Sequence, residues 1–257
     1  MTTISSKESS KESSKESSGE KSTEATLQAS KIEAVSKTTI DSKCTIKIVV
    51  PLANYLIREN GTYVLVVKQW LAKSFADNLC ETLKKEIKWR QENVIIYGRS
   101  VAQNRRIYAF GDGGSHNYSG SSIKLDKWRP DLESLRDKIV KDLNDEKYGK
   151  YHDTQPQKVA FNSVLLNEYH NGQASIGYHS DKETKGSFCS LVVSVSLGGS
   201  RDFYFKRKSN NEVVKTVLEN GDLCIMSNCQ RDWLHSIPKR AKGEYRISLT
   251  FRDLKNN

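Results

Sequence analysis

Residues 161–169 read FNSVLLNEY, and five runs of the same texture follow: CSLVVSVSLG (189–198), RDFYFKR (201–207), EVVKTVLEN (212–220), DLCIMS (222–227) and YRISLTFRDL (245–254). Each is a short apolar or alternating run rich in Val, Ile, Leu, Phe and Tyr, separated from the next by Gly, Asn or Asp. Many short strands with almost no helix between them predict an antiparallel sandwich or jelly roll. A doubly wound α/β fold needs a helix between successive strands, and none is legible here.

Upstream the pattern changes. KIVVPLANYLI (47–57) and TYVLVV (62–67) are strand-like. Leu71, Phe75, Leu79, Leu83 and Ile87 recur at steps of four, which predicts one apolar helix face. A second helix is expected from Pro130, favourable in a first turn, through Leu132, Leu135, Ile139 and Leu143. Neither helix carries a catalytic set. The fold class expected is α+β, with a jelly-roll core and flanking N-terminal helices.

Residues 1–43 read differently again. SSKE repeats with a period of four between Ser5 and Ser18, and no aromatic residue precedes Tyr55. Such a segment cannot bury enough surface to offset its chain entropy, so a disordered Ser/Lys/Glu-rich tail is expected over 1–43, followed by a folded domain over 44–257. The tail holds 7 Lys, no Arg and 7 Asp or Glu, leaving 34 basic against 24 acidic residues in the remainder. The whole excess of +10 therefore falls on the folded part, which favours a polyanionic partner, nucleic acid first.

Composition excludes several classes. At 257 residues the chain can bury a sizeable core. Mean hydropathy is −0.64, and no run approaches the roughly 18 apolar residues of a spanning helix, so no membrane partner is expected. The five cysteines (Cys44, Cys80, Cys189, Cys224, Cys229) are odd in number, form no CxxC, and follow no secretory signal, which points to a reducing compartment. Cys224 and Cys229 are read as buried thiols rather than metal ligands, since no second ligand pair accompanies them.

The chemistry-bearing residues cluster in the all-β half. His179 and Asp181 form H-S-D; on an extended strand their side chains share one face and can reach one metal ion. His235, 56 residues later, is within reach across a barrel. Two imidazoles and one carboxylate match the facial triad that leaves three positions open on Fe(II), although H-x-D alone also fits a hydrogen-bonded surface pair. In Arg246–Arg252 the even positions Arg246, Ser248, Thr250 and Arg252 are polar and the odd positions apolar. That alternation describes either an edge strand with a wet side or the lining of an anion-binding barrel interior. Asn167 and Tyr169, again two apart, can add an amide and a phenol to the same face.

In this order, N-x-Y, H-x-D, a distant His and R-x-x-x-x-x-R resemble the AlkB family of Fe(II)- and 2-oxoglutarate-dependent dioxygenases. IIYGR (95–99), AFGDGGSHNYSG (109–120), W-R-P-x-L (128–132), IGYHSDKE (176–183) and SLGGSRDF (196–203) extend the resemblance, which covers roughly 93–254 and looks like the family's DNA-repair branch. It implies a double-stranded β-helix core over about 159–254 and a nucleotide-recognition part over about 93–130. It also implies Fe(II) held by His179, Asp181 and His235. 2-Oxoglutarate would have its distal carboxylate on Arg246 and Tyr169, with Asn167, Arg252 and Thr250 toward the metal end. Ser248 stands where the family usually has Asn.

The implied activity is oxidative demethylation of 1-methyladenine and 3-methylcytosine in DNA, consuming O2 and releasing formaldehyde. Tyr97 in I-Y-G stands at the position of an intercalating finger, next to Gly98, and Tyr118 at that of an aromatic stacking on the flipped base. His116 lies near a base-contacting position, and Glu183 is the candidate carboxylate for the cationic lesion. Arg99, Arg105 and Arg106, with Lys206, Arg207 and Lys208, are expected to meet phosphates. The partner is alkylated DNA, duplex or single-stranded, met by a monomer in the nucleus, with the cytoplasm as a second compartment. The alternatives are the same chemistry on RNA, and a nucleic-acid binding module with an inactive metal site.

Overall fold

All eighteen strands of the described residues belong to two sheets or to the hairpins beside them, and the chain order explains how. The computed structural model describes residues 53–96, 99–118, 121–152, 159–184 and 187–254, all within one compact unit spanning 31–257. The Ser-rich repeat, Cys44, Tyr97 and Gly98 lie outside the described residues. The chain opens with β1 (Ala53–Glu59), β2 (Thr62–Val67), α1 (Lys73–Glu86), β3 (Asn93–Ile96) and β4 (Arg99–Ala102). There follow β5 (Arg106–Gly111), β6 (Ser115–Tyr118), β7 (Ser121–Lys124), β8 (Asp126–Lys127) and α2 (Pro130–Asn144). The second half is all β: β9 (Ser163–Tyr169), β10 (Ile176–His179), β11 (Lys182–Thr184), β12 (Ser187–Phe188), β13 (Leu191–Gly198) and β14 (Arg201–Arg207). β15 (Val213–Leu218), β16 (Leu223–Ser227), β17 (Trp233–Ile237) and β18 (Arg246–Arg252) complete it.

An eight-stranded sheet has the order β1-β2-β16-β13-β18-β9-β5-β8, and a four-stranded sheet the order β10-β17-β14-β15. The hairpins β3–β4, β6–β7 and β11–β12 stand outside both. Of the stretch 93–130, β5 therefore joins the large sheet, antiparallel to β9. The β1–β2 connection is Asn60-Gly61 with φ of 45° and 75°, the sequence and backbone that a two-residue hairpin with the correct twist requires.

Both faces of the large sheet are buried, and alternation divides the work. Odd positions of β18 (Ile247, Leu249, Phe251), with Val193, Val195 and Leu197 of β13, face the two helices in the main apolar core. From α2 that core receives Leu132, Leu135, Ile139 and Leu143, as the periodicity predicts. The opposite face looks toward the four-stranded sheet, where Phe203, Phe205, Trp233 and Ile237 pack with Val192, Cys224 and Met226. Helix α2 is further tied down by Asp142, whose carboxylate accepts bonds from Trp70 Nε1 (2.9 Å), Tyr148 Oη (2.8 Å) and Lys138 Nζ (2.7 Å).

The stripe read on the first helix needs correction. Leu71 and Ile87 flank α1 rather than belong to it, and Phe75 is 51% exposed. Steps of four advance about 40° beyond a full turn each time, so the stripe drifts. Helix α1 buries Ala76, Leu79, Cys80 and Leu83, an arc whose centre lies about 90° from Phe75.

Candidate active site

β18 decides what the site is made of. It is a central strand between β13 and β9, and all seven of its residues are buried. This settles the choice left open by its alternation: its polar positions line the barrel interior, and there is no wet edge. Register then places partners opposite one another. Arg246 faces Tyr169, Ser248 faces Asn167, and Thr250 and Ser248 face Ser194 and Ser196 of β13. Because side chains alternate with a period of two, every one of these groups points to the same side of the sheet.

The metal-ligating side chains come from the facing sheet. β10 pairs antiparallel with β17, and His179 and His235 are direct cross-strand partners with ring centroids 4.2 Å apart. Asp181 lies just beyond the end of β10, so the H-S-D motif is not a single strand face as expected. The chain leaves the ladder after His179, and the Asp181 backbone N–H is held instead by Gln230 Oε1 at 3.0 Å. That turn brings Asp181 Oδ1 to 3.8 Å from His179 Nε2 and Oδ2 to 3.8 Å from His235 Nε2. Two ligand bonds of about 2.1 Å can bridge each of these gaps. Among the described residues these three are the group whose donor atoms converge, all lying within 4.8 Å of one another.

The electrostatics suit a metal. Burial lowers the His179 pKa and pushes that of His235 down to about 3, with the neighbouring imidazole and Arg252 adding to the effect on His235. Both rings are therefore neutral at pH 7, the form that ligates. His179 Nδ1 lies 2.9 Å from the Gly177 carbonyl, a bond that assigns the proton to Nδ1 and leaves Nε2 as the donor atom. Burial alone raises the Asp181 carboxyl, but Arg252, His235 and His179 outweigh it and hold it below the usual range. Arg252 Nη2 sits 2.9 Å from Oδ1. Oδ2 is buried with no hydrogen-bond partner, so the carboxylate keeps one oxygen for a cation.

One cavity connects these groups. Asn167, Tyr169, Ser248, Thr250 and Arg252 all reach its wall, as expected of them. Arg246 is fully buried beside Tyr169, its guanidinium carbon 5.1 Å from the ring centroid and its Nη2 2.7 Å from Ser196 Oγ. Its Nε and Nη1 have no partner, and burial pushes its pKa down to about 10. Unpaired guanidinium hydrogens at one end and an unpaired carboxylate oxygen at the other fit a small anion and a divalent metal. Ser248 donates to or accepts from Ser194 Oγ at 2.9 Å, which satisfies the hydroxyl where a longer amide is usual.

The residues expected to meet nucleic acid are placed less uniformly. Arg105 is buried on the cavity wall and donates Nε–H to Asn167 Oδ1 at 2.8 Å, so it is not a surface phosphate contact. Arg106 pairs with Glu168, Arg207 with Glu59 and Glu212, and Lys208 bonds the carbonyls of Gln230 and Arg231. Arg106 and Arg207 are thus paired with protein carboxylates and Lys208 with carbonyls, although Arg106 and Lys208 remain exposed to solvent. Arg99 is exposed on β4, and Lys206 lies 4.7 Å over the Tyr178 ring. His116 and Tyr118 fall on β6 and Glu183 on β11; their side chains lie outside the described residues. Sequence reasoning missed Gln230, Ser194 and the role of Arg105. Only Ser194 left a signal, in the S-V-S alternation of β13.

The profile of the 2OG-Fe(II) oxygenase superfamily matches residues 63–252. The chain is 31% identical over 196 residues to the human protein named DNA oxidative demethylase ALKBH2, covering 71% of this chain and 70% of that one. Against the bovine protein of the same name the identity is also 31% over 196 residues, and the match spans 66% of the bovine chain's length. The solved structure of OsALKBH1 superposes with a TM-score of 0.56 at 19% identity, covering 77% of this chain and 99% of that one, and shows the shared fold. Paired imidazoles, a spare carboxylate oxygen and an arginine-lined barrel are thus what this lineage would require, and the chain belongs to the 2OG-Fe(II) oxygenase superfamily, in its AlkB family.

Proposed function

We propose that this protein is an oxidative demethylase that repairs alkylated bases in DNA. The observation that carries the reading is the meeting of His179 and His235 across one strand pair, with Asp181 3.8 Å from each. The human and bovine relatives named DNA oxidative demethylase support the choice of substrate.

His179, Asp181 and His235 would hold Fe(II). Bound there with 2-oxoglutarate and O2, Fe(II) supplies the oxidation that turns a base N-methyl group into hydroxymethyl while the keto acid becomes succinate and CO2. The chain's own residues do the rest. Arg252 fixes the Asp181 carboxylate through Oδ1 and leaves Oδ2 free to ligate. Arg246 and Tyr169 receive the far carboxylate of the keto acid, and Arg105 holds the Asn167 amide in place near its other end. Phe203, Met226 and Ile237 make part of the cavity wall apolar, which limits water at the reacting centre. The hydroxymethyl group on a base nitrogen leaves as formaldehyde and restores the base. 1-Methyladenine and 3-methylcytosine are the lesions proposed, with Tyr97 as the wedge and Tyr118 as the stacking ring. Base extrusion costs a few kcal/mol, less for a lesion whose pairing edge is blocked. The nucleus is the compartment proposed, with imaging of a fluorescent fusion as the check.

The test is formaldehyde release, and mass spectrometry of the product, from oligonucleotides carrying one defined lesion in duplex DNA and in single-stranded RNA. Turnover on DNA that disappears in Asp181→Ala, with DNA binding retained, is the expected result. Faster turnover on RNA would move the substrate to RNA, and full turnover by Asp181→Ala would overturn the ligand assignment.

A further inference from the structure

One phenol ring carries two buried guanidiniums. Arg246 lies 5.1 Å and Arg201 5.4 Å from the Tyr169 ring centroid, and their residues are 0% and 1% exposed. Arg201 opens β14 in the facing sheet and reaches across to two loops. Its Nη2 donates to the carbonyls of Ala174 and Pro238, each at 2.7 Å, and its Nη1 to that of Asn171 at 3.2 Å. These carbonyls follow β9 and β17, the strands that supply Tyr169 and His235. The two loops are in backbone contact as well. A Cβ on Gly172 would lie 2.4 Å from the Arg240 carbonyl oxygen and 2.9 Å from Gly243 N.

Carbonyl dipoles satisfy the Arg201 hydrogens but carry no net charge, and its Nε remains buried without a partner. Among the described residues no carboxylate is hydrogen-bonded to either guanidinium; Asp202 acts on Arg201 only through space, and Arg240 adds a further positive charge. Two desolvated cations against one ring are costly unless an anion arrives. We propose that Arg201 is a positioning residue for the far carboxylate of the keto acid. It adds a second positive charge against the Tyr169 ring and ties together the loops that follow β9 and β17. This rests on the reading of the cavity as a 2-oxoglutarate seat and adds a residue to it. The consequence is selectivity: a keto acid with a second carboxylate gains from Arg201, and one without it does not.

Calorimetric titration of the Mn(II)-loaded protein, where no turnover occurs, reads this directly. The probes are 2-oxoglutarate and 2-oxobutyrate, which share the chelating end and differ in the far carboxylate. Arg201→Gln is expected to weaken 2-oxoglutarate about tenfold and to change 2-oxobutyrate less than twofold. Arg201→Lys keeps the charge without the three-carbonyl reach, and is expected to retain the preference for 2-oxoglutarate within about threefold. It decides the matter if Arg201→Gln does not fold. Equal weakening of both keto acids in the folded variants would make Arg201 a loop clamp alone and overturn the proposal, as would an unchanged affinity for 2-oxoglutarate. If the wild-type protein bound neither keto acid, the cavity reading itself would fail, a result distinct from either.

Discussion

Acidification offers a quantitative test of the imidazole pair. Suppose both histidines titrated near their ordinary value of 6.5. Each would be proton-free about a quarter of the time at pH 6, and both together about 6% of the time, against about 94% at pH 8. Metal affinity would then fall about 16-fold over that range from proton competition alone. The structure gives a different expectation. Burial, the facing ring and Arg252 bring His235 to about 3, and burial lowers His179 as well, while Asp181 is held ionised well below its usual range. Depressed values mean that both rings resist protonation below the ordinary 6.5, His235 down to about 3. Mn(II) affinity measured by calorimetry or by the free-ion EPR signal, at constant ionic strength, is therefore expected to change less than about threefold between pH 8 and pH 6. The same depression makes both rings a liability to the metal-free fold as pH falls below 6.5, for His235 until about 3, since the unfolded chain binds those protons first. A tenfold or greater loss of Mn(II) affinity by pH 6 would refute the claim that the site is dry and preset.

Other outcomes follow from contacts away from the metal. Asp142→Ala strands the Trp70 and Tyr148 donors and should cost about 3 kcal/mol in a denaturant melt. Burial raises the Asp142 carboxyl, but the bonds from Lys138, Trp70 and Tyr148 pull it below its ordinary value, so this stabilisation is present above about pH 4 and lost as pH falls through the folded value. The gap between wild type and variant should therefore narrow in acid, and a gap independent of pH would contradict the assignment. Phe75→Gln should change stability by less than about 0.5 kcal/mol, because the ring is half exposed; a loss above 2 kcal/mol would place it in the core. Gly172→Ala should destabilise by about 1–3 kcal/mol, since its new methyl meets backbone at 2.4 Å, and unchanged melting would mean that the two loops are not in contact.

How much was legible beforehand depended on whether a feature was written along one strand or assembled between strands. Alternation in Arg246–Arg252 and the apolar run of β9 are local, so strand identity and the side chains sharing a face could be read directly, while the choice between a wet edge and a cavity lining needed the sheet order. The distribution of Leu132, Leu135, Ile139 and Leu143 likewise follows from one helix period. What sequence could not supply was who stands opposite whom. Gln230 bonding the Asp181 N–H, Arg105 reaching Asn167 and Arg201 bridging two loops all depend on pairings over long separations. Basic residues near Tyr97 and after β14 invited assignment to phosphate, because a lone sequence does not reveal the carboxylates that claim them. Phe75 was misplaced for a simpler reason: a step of four is not a whole turn.

The direct opposition of His179 and His235 makes the metal centre a product of ladder alignment, not of spacing along the chain. The 55 intervening residues include β11 to β16, and insertions in their connecting turns should leave the imidazole pair untouched as long as β10 and β17 still zip together. One residue added inside β17, by contrast, would send His235 through the sheet to its outer surface while barely altering composition or length. Evolution of this centre is thus lenient toward drift in the turns and intolerant of a single slip in five residues.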